Sequence, residues 1–400
     1  MSSAVVNPQP PAARPFAKGL EGVTAAQTKM SFIDGEKGIL EYVGIEIDAL
    51  ARNSTFEETV YLLWNLRLPT RAELAEFSAD LRNHYDLPAG MVERIQSCPT
   101  DAAPMHVLRT MVSALAMYDA DADANDPVSA RKKALAILAQ TPAIIACFDR
   151  HRRALPFVPA RKDLSFAQNF LYMLNGKEPT PAMARAFDVC MILHADHGLN
   201  NSTFAARVII STLSDVYSAI TGAIGSLRGP LHGGANEEVM VMLDEIEQEA
   251  AKQGKPVAAV IEPFIMDRLA RRNDGARIMG FGHRVYKTID PRATFLKTFS
   301  RQIAADTGNM KLYEMSSTIE AIMAREVGAK GVYPNVDFYS ATTYHSIGLR
   351  LDLFTPMFAM SRISGWAGHV LEQLADNRLY RPAAAYVGPH GAPYIPIEKR

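Results

Sequence analysis

Along most of the chain the apolar residues recur three and four positions apart, the spacing that lines one face of a helix. Phe56, Val60, Leu63 and Trp64 follow it, as do Leu74, Phe77 and Leu81, and then Met105, Leu108, Met111, Val112 and Leu115. Ser54 with Glu57, and Thr70 with Glu73, have the spacing of a capping box, in which hydroxyl and carboxylate satisfy the first backbone N–H groups of a helix. Further helices are predicted over 131–149 and 164–174, punctuated by Pro142, Pro156 and Pro159. Met183, Phe187, Cys190, Met191 and His194 make another stripe, so His194 reads as a core residue. The segment 203–227 is apolar, but Arg207 and Asp215 interrupt it short of the ~18 apolar residues of a membrane span. It reads instead as buried helix whose small residues let a neighbour approach closely.

Only one segment alternates. Phe32 and Ile33, then Asp34-Gly35, then Ile39, Leu40, Tyr42, Ile45 and Ile47 predict a short hairpin within 31–47. The fold class is therefore all-α, with one short N-terminal β-hairpin. Gly and Pro residues at 225–234 and a polar loop near 341–348 bracket a charged helical block. The expected organisation is a large helical domain over 20–232 and 343–400, with a smaller one, 233–342, inserted into it. Residues 1–19 contain no acid and hold Pro8, Pro10, Pro11 and Pro15, and are expected to be a disordered tail.

Composition narrows the function. At 48% hydrophobic and 21% charged the chain can bury a sizeable core, and a net charge of -1 gives no long-range pull towards nucleic acid or anionic lipid. Cys98, Cys147 and Cys190 form no Cys-x-x-Cys pattern, which argues against a disulfide framework or a zinc site and suits a reducing, cytoplasmic compartment.

Three lone titratable residues sit beside chain breakers, where a side chain can be aimed at a ligand. His232 precedes Gly233-Gly234 and a helix start rich in acids. The positive end of that helix disfavours an imidazolium, and a neutral histidine can still donate to a carbonyl oxygen; a purely capping histidine is the alternative. His283 lies in Gly280-Phe281-Gly282-His283-Arg284, followed by Lys287 and Arg292, which suits an anionic ligand or else a solvated basic turn. Asp337 stands between Val336 and Phe338, where lost hydration raises a carboxyl towards base strength, unless it only caps the helix that follows. His197, past the apolar face and next to Gly198, can reach a pocket at the helix end. A metal site at His194-Ala195-Asp196-His197 lacks completing ligands nearby, so no metal is expected. Arg292, Arg362 and Arg381 are singly ordinary surface cations, yet planar guanidinium forks fit a dicarboxylate.

These motifs, in this order and over most of residues 20–390, resemble the citrate synthase family. The likeness rests on His-Ala-Asp-His at 194–197, Gly-Pro-Leu-His-Gly-Gly-Ala-Asn-Glu at 229–237, Gly-Phe-Gly-His-Arg-Val-Tyr-Lys at 280–287, Asp-Pro-Arg at 290–292 and Pro-Asn-Val-Asp-Phe-Tyr-Ser at 334–340. It implies an all-α homodimer with a large domain and a small mobile one, joining acetyl-CoA to oxaloacetate and then hydrolysing the thioester. CoA enters as co-substrate, with no permanently bound cofactor. By motif, His232, His283 and Asp337 would be catalytic, and His197, Arg292, Arg362 and Arg381 would hold oxaloacetate, Arg381 from the partner subunit, so that active sites are shared. Lys287 would lie near CoA phosphates, with Gly280, Phe281 and Gly282 lining the adenine side. Gly198 and Val43 depart from the family, which more often has an acid and an arginine there. A 2-methylcitrate synthase acting on propionyl-CoA is the near alternative, and Arg284 after His283 favours citrate. More distant alternatives are a non-catalytic CoA-ester-binding protein and a metal-dependent hydrolase.

Overall fold

Short polar side chains close the first turn of helix after helix in the computed structural model, which describes residues 16–283 and 285–400, for Ala235 the backbone only. Among the described residues there are sixteen α-helices. α1 (Ile47–Asn53), α2 (Phe56–Asn65), α3 (Arg71–Asn83), α4 (Met91–Gln96), α5 (Pro104–Leu115) and α6 (Pro127–Arg152) come first. α7 (Phe166–Asn175), α8 (Pro181–His194), α9 (Asn201–Ile210) and α10 (Val216–Leu227) follow. α11 (Ala235–Gln253), α12 (Ala258–Ala270), α13 (Pro291–Thr307), α14 (Met310–Val327) and α15 (Val336–Ser346) lead to α16 (Phe354–Ala375). The fold is all-α. None of these helices is long and apolar enough to cross a membrane.

Thr70 and Glu73 make the reciprocal box predicted ahead of α3, and Ser165 with Gln168 makes another ahead of α7. At α2 the start shifts by one residue. Thr55, not Ser54, accepts the Glu58 N–H at 3.2 Å, because Glu57 is buried and turns to accept the Phe166 N–H at the start of α7, 2.9 Å away. α6 covers the predicted 131–149 and continues through Pro142, which lies inside it. A proline inside a helix costs ~3 kcal/mol, which burial of several large side chains outweighs at ~1.5–3 kcal/mol each. Ile137, Leu138, Ile144 and Ile145 are all buried around it, and the Thr141 hydroxyl donates to the Ile137 carbonyl at 2.7 Å. The segment 203–227 is two helices, not one: Asp215 caps α10 through the Ser218 N–H, 2.7 Å away. The two pack closely, as the small residues implied, since a Cβ on Gly222 would lie 2.1 Å from Ile209 Cδ1.

The alternating segment is a three-stranded antiparallel sheet, β1 (Ser31–Asp34), β2 (Ile39–Tyr42) and β3 (Ile45–Glu46). Ser31 pairs with Tyr42, Asp34 with Ile39, and Tyr42 with Ile45. Beyond the predicted hairpin, a second two-residue turn has both Val43 (φ 52°) and Gly44 (φ 76°) in the left-handed region. A β-branched residue rarely takes that conformation, so the turn carried no sequence signal.

α16 is the spine of the core. It packs on α2, α6, α8, α9 and α10, with Trp366 wholly buried near its middle. By backbone contacts the described residues within 28–379 form one unit, and residues 16–27 together with those from Tyr380 onward form another. Of the expected tail, residues 1–15 lie outside the described residues, and Lys18–Leu20 make a single 3-10 turn.

Candidate active site

Asp337 is the second residue of α15, whose cap is Asn335: the Asp337 N–H donates to Asn335 Oδ1 at 3.0 Å. Capping is thus not the work of the Asp337 carboxylate, which accepts no hydrogen bond among the described residues. Burial pushes its pKa up to about 6, while Arg292 and Arg362 draw it down and Asp290 raises it. Asn335 also fixes the loop before α13. Its side-chain amide donates to the Gly282 carbonyl at 3.0 Å, its N–H donates to the Gly280 carbonyl at 2.9 Å, and the Gly282 N–H donates to the Tyr333 carbonyl at 2.9 Å. Gly280 must be glycine twice over: its φ is 77°, and a Cβ there would lie 2.8 Å from both Phe338 and Val239. Gly280 and Gly282 therefore hold the His283 loop against the Asp337 helix with their own backbone.

His283 Nδ1 accepts the N–H groups of Val285 (2.9 Å) and Tyr286 (3.1 Å), which assigns its proton to Nε2. Burial, together with the cations Arg292 and Lys287 against the opposing Asp290, lowers its pKa to about 4. At neutral pH it is a neutral ring with a donor to offer. His197 joins it, with ring centroids 5.4 Å apart and His197 Nε2 3.1 Å from the Tyr286 hydroxyl. Burial, then Arg292, Arg362 and His283, keep His197 well below the usual imidazole range. Burial also raises Tyr286, so the phenol keeps its proton.

The two interior cations are held differently. Arg292 donates to Asp290 through Nε (3.0 Å) and Nη2 (2.8 Å), and Asp290 Oδ1 also accepts the Arg292 N–H as the cap of α13. Burial works against that guanidinium, but Asp290 more than restores its charge. Arg362, 2% exposed, donates from Nε to the His194 carbonyl at 2.6 Å, and its terminal nitrogens have no hydrogen-bond partner among the described residues. Burial lowers its pKa to about 10, so it stays charged at neutral pH. Lys287 is exposed, and its N–H donates to the Gly35 carbonyl at 2.9 Å. Arg381 belongs to the terminal unit, exposed, with Nη1 donating to the Pro382 carbonyl at 3.1 Å.

His232 meets a helix N-terminus, but of α9 and not of the α11 that follows it. Its Nε2 lies 3.2 Å from the Ser202 N–H and 2.8 Å from the Ser202 hydroxyl, which also accepts Trp366 Nε1–H at 3.1 Å. His194 is fully buried, as its stripe implied. Gly198 takes φ 59°, and its N–H donates to Ser31 Oγ and Asp196 Oδ2, both at 3.1 Å, a geometry that suits glycine at this departure from the family pattern. Arg284 lies outside the described residues. Among them no group of histidines, cysteines and acids is placed to hold a metal ion.

One polar neighbourhood thus unites His197, His283, Arg292, Arg362 and Asp337. Tyr286 and Asp290 also belong to it, though sequence reading gave them no role. Asp290 had a usable signal, since an acid directly before Pro291 marks a helix cap. Ser202 had none, because its tie to His232 spans thirty residues.

Residues 19–383 match the family model described as citrate synthase, C-terminal domain. Citrate synthase 2 of Bacillus subtilis is 49% identical over 96% of this chain and 99% of its own length. The crystal structure of citrate synthase from Pyrobaculum aerophilum superposes with a TM-score of 0.88 at 41% identity, covering 98% of this chain and 97% of that one. The Thermoplasma acidophilum enzyme, solved as a ternary complex with carboxymethyl coenzyme A and oxaloacetate, also has a TM-score of 0.88, at 35% identity, covering 97% of this chain and all of that one. With these motifs, this fold and likeness along almost its whole length, the chain belongs to the citrate synthase family.

Proposed function

We propose that Asp337, His232 and His283 divide among them the condensation of acetyl-CoA with oxaloacetate, which gives citrate and CoA once the thioester is hydrolysed. The observation that carries this reading is the Asp337 carboxylate, without a hydrogen-bond partner among the described residues, raised by burial to about 6 and in the field of Arg292 and Arg362. A thioester methyl is far less acidic than any carboxyl, and each unit of pKa mismatch is about 1.4 kcal/mol. Asp337 takes the methyl proton only with help at the oxygen. His232, with Nε2 turned to the Ser202 N–H, carries its proton on Nδ1 and donates it to the thioester oxygen as charge develops there, a contact worth ~3–4 kcal/mol.

Oxaloacetate brings two carboxylates to Arg292 and Arg362, and His197 orients its carbonyl. Burial first, then Arg292 and Lys287, hold His283 near 4, so the ring is neutral and its Nε2–H donates to the ketone oxygen as the new carbon–carbon bond forms. Arg381 completes the dicarboxylate clamp from the other subunit of a homodimer. Lys287 meets CoA phosphate, Gly280, Phe281 and Gly282 line the adenine side, and residues 233–342 close as a mobile domain over 20–232 and 343–400. The compartment is the cytoplasm.

Free-thiol release from acetyl-CoA in the presence of oxaloacetate measures the whole reaction. Exchange of tritium out of the acetyl methyl isolates the first step, and Asp337→Asn is expected to lose it almost entirely while still binding oxaloacetate. If the Asp337→Asn protein exchanged at the parent rate, Asp337 would be removed from the role of base.

A further inference from the structure

The N-terminal hairpin has no part in the chemistry, yet it grips both loops that carry the half-buried histidines His197 and His283. From β1, the Ser31 hydroxyl donates to Asp196 Oδ2 at 2.6 Å and accepts the Gly198 N–H at 3.1 Å, bracketing His197. From β2, the wholly buried Tyr42 hydroxyl donates to the Asp196 carbonyl at 2.8 Å and accepts the Asp196 N–H at 3.1 Å. At the tip, Asp34 Oδ1 accepts the N–H groups of Glu36 (3.1 Å) and Lys37 (3.0 Å), which makes the turn stiff. That turn presses on the segment after His283. The Gly35 carbonyl accepts the Lys287 N–H at 2.9 Å, a Cβ on Gly35 would lie 2.2 Å from the Val285 carbonyl oxygen, and one on Gly38 would lie 2.9 Å from that of Ile289. Gly35 does not have a positive φ, so close approach alone demands a glycine there.

We propose that this hairpin is a strap that sets the spacing of the 195–198 and 285–289 segments, with Gly35 the positioning residue that lets its tip seat. The proposal rests on the oxaloacetate-binding reading given above. The His197–Tyr286 contact of 3.1 Å bridges the two strapped loops, so a displaced tip separates the groups that must close on the same small ligand. Misplacement on the ångström scale costs binding and rate by about tenfold or more.

The test compares Gly35→Ala with Gly44→Ala in the full-length protein. Gly44 strains the same sheet, with φ 76°, but a Cβ there meets nothing within 4 Å. Two readouts are taken, amide hydrogen exchange at Lys287 without ligand, and oxaloacetate affinity by calorimetry. In Gly35→Ala, Lys287 exchange is expected to rise and oxaloacetate affinity to fall, each by about tenfold or more, while the Gly44→Ala protein stays near the parent in both. Unchanged exchange or affinity in Gly35→Ala, or an equal loss in Gly44→Ala, would overturn the strap. A parent protein that failed to bind oxaloacetate would refute the substrate reading instead, and the exchange readout would still judge the strap.

Discussion

As the proposed base, Asp337 would link protonation to turnover in a way that can be read at a single residue. Its pKa of about 6 lies above that of an ordinary carboxyl, and the base must be ionised to act. The expected profile of kcat/KM for acetyl-CoA against pH, at saturating oxaloacetate, has an acid limb with its midpoint at about 6 or above, because the two carboxylates offset the Arg292 and Arg362 charges that draw Asp337 down. A midpoint near the ordinary carboxyl value of about 4 would place the base elsewhere. Stability runs the other way. A group whose folded pKa is raised binds its proton more tightly in the folded state, so between pH 6 and the unfolded value this site adds stability as pH falls, just where activity is lost. The residue types at this site were legible in the sequence because glycine, proline and asparagine flank them. Their electrostatic states were not. That His283 is neutral with its proton on Nε2 depends on two backbone N–H groups and on Arg292, which only the folded chain brings to it.

Among the elements, helix starts were the most readable feature, since a cap is a local contract between residues three apart. Removing the Thr70 hydroxyl breaks the box ahead of α3, and Thr70→Ala is expected to cost about 1 kcal/mol in chemical denaturation, with activity unchanged. No loss of stability would mean that tertiary packing alone fixes this start. The misreadings share one cause, that distant partners outrank local rules. Glu57 serves α7 rather than its own helix, and Val43 accepts a left-handed turn that places β3 beside β2.

For the molecule as a whole, the proposed closing of residues 233–342 makes the order of binding a matter of coupling free energy. In the proposed reading, oxaloacetate gathers His197, Arg292 and Arg362 about itself, and so prepays part of the ordering that acetyl-CoA needs. A non-reactive acetyl-CoA analogue should therefore bind about tenfold or more tightly when oxaloacetate is present, measured by calorimetry. Equal affinities would sever the two sites. The all-α class could be read from periodicity, whereas the boundaries of the proposed moving part rest only on where Gly, Pro and polar residues cluster, because a hinge has no periodicity of its own.

Arg362 has a practical consequence at the bench. Asp290 already neutralises Arg292, but the Arg362 guanidinium, kept from water, is poorly solvated until an anion joins it, so a small anion that reaches it favours the folded form by mass action. Sulfate, phosphate or citrate carried over from purification would raise a melting temperature and compete with substrate in an assay. Melting curves recorded in different buffers thus describe different complexes, and chloride solutions of matched ionic strength are the proper baseline for comparing variants.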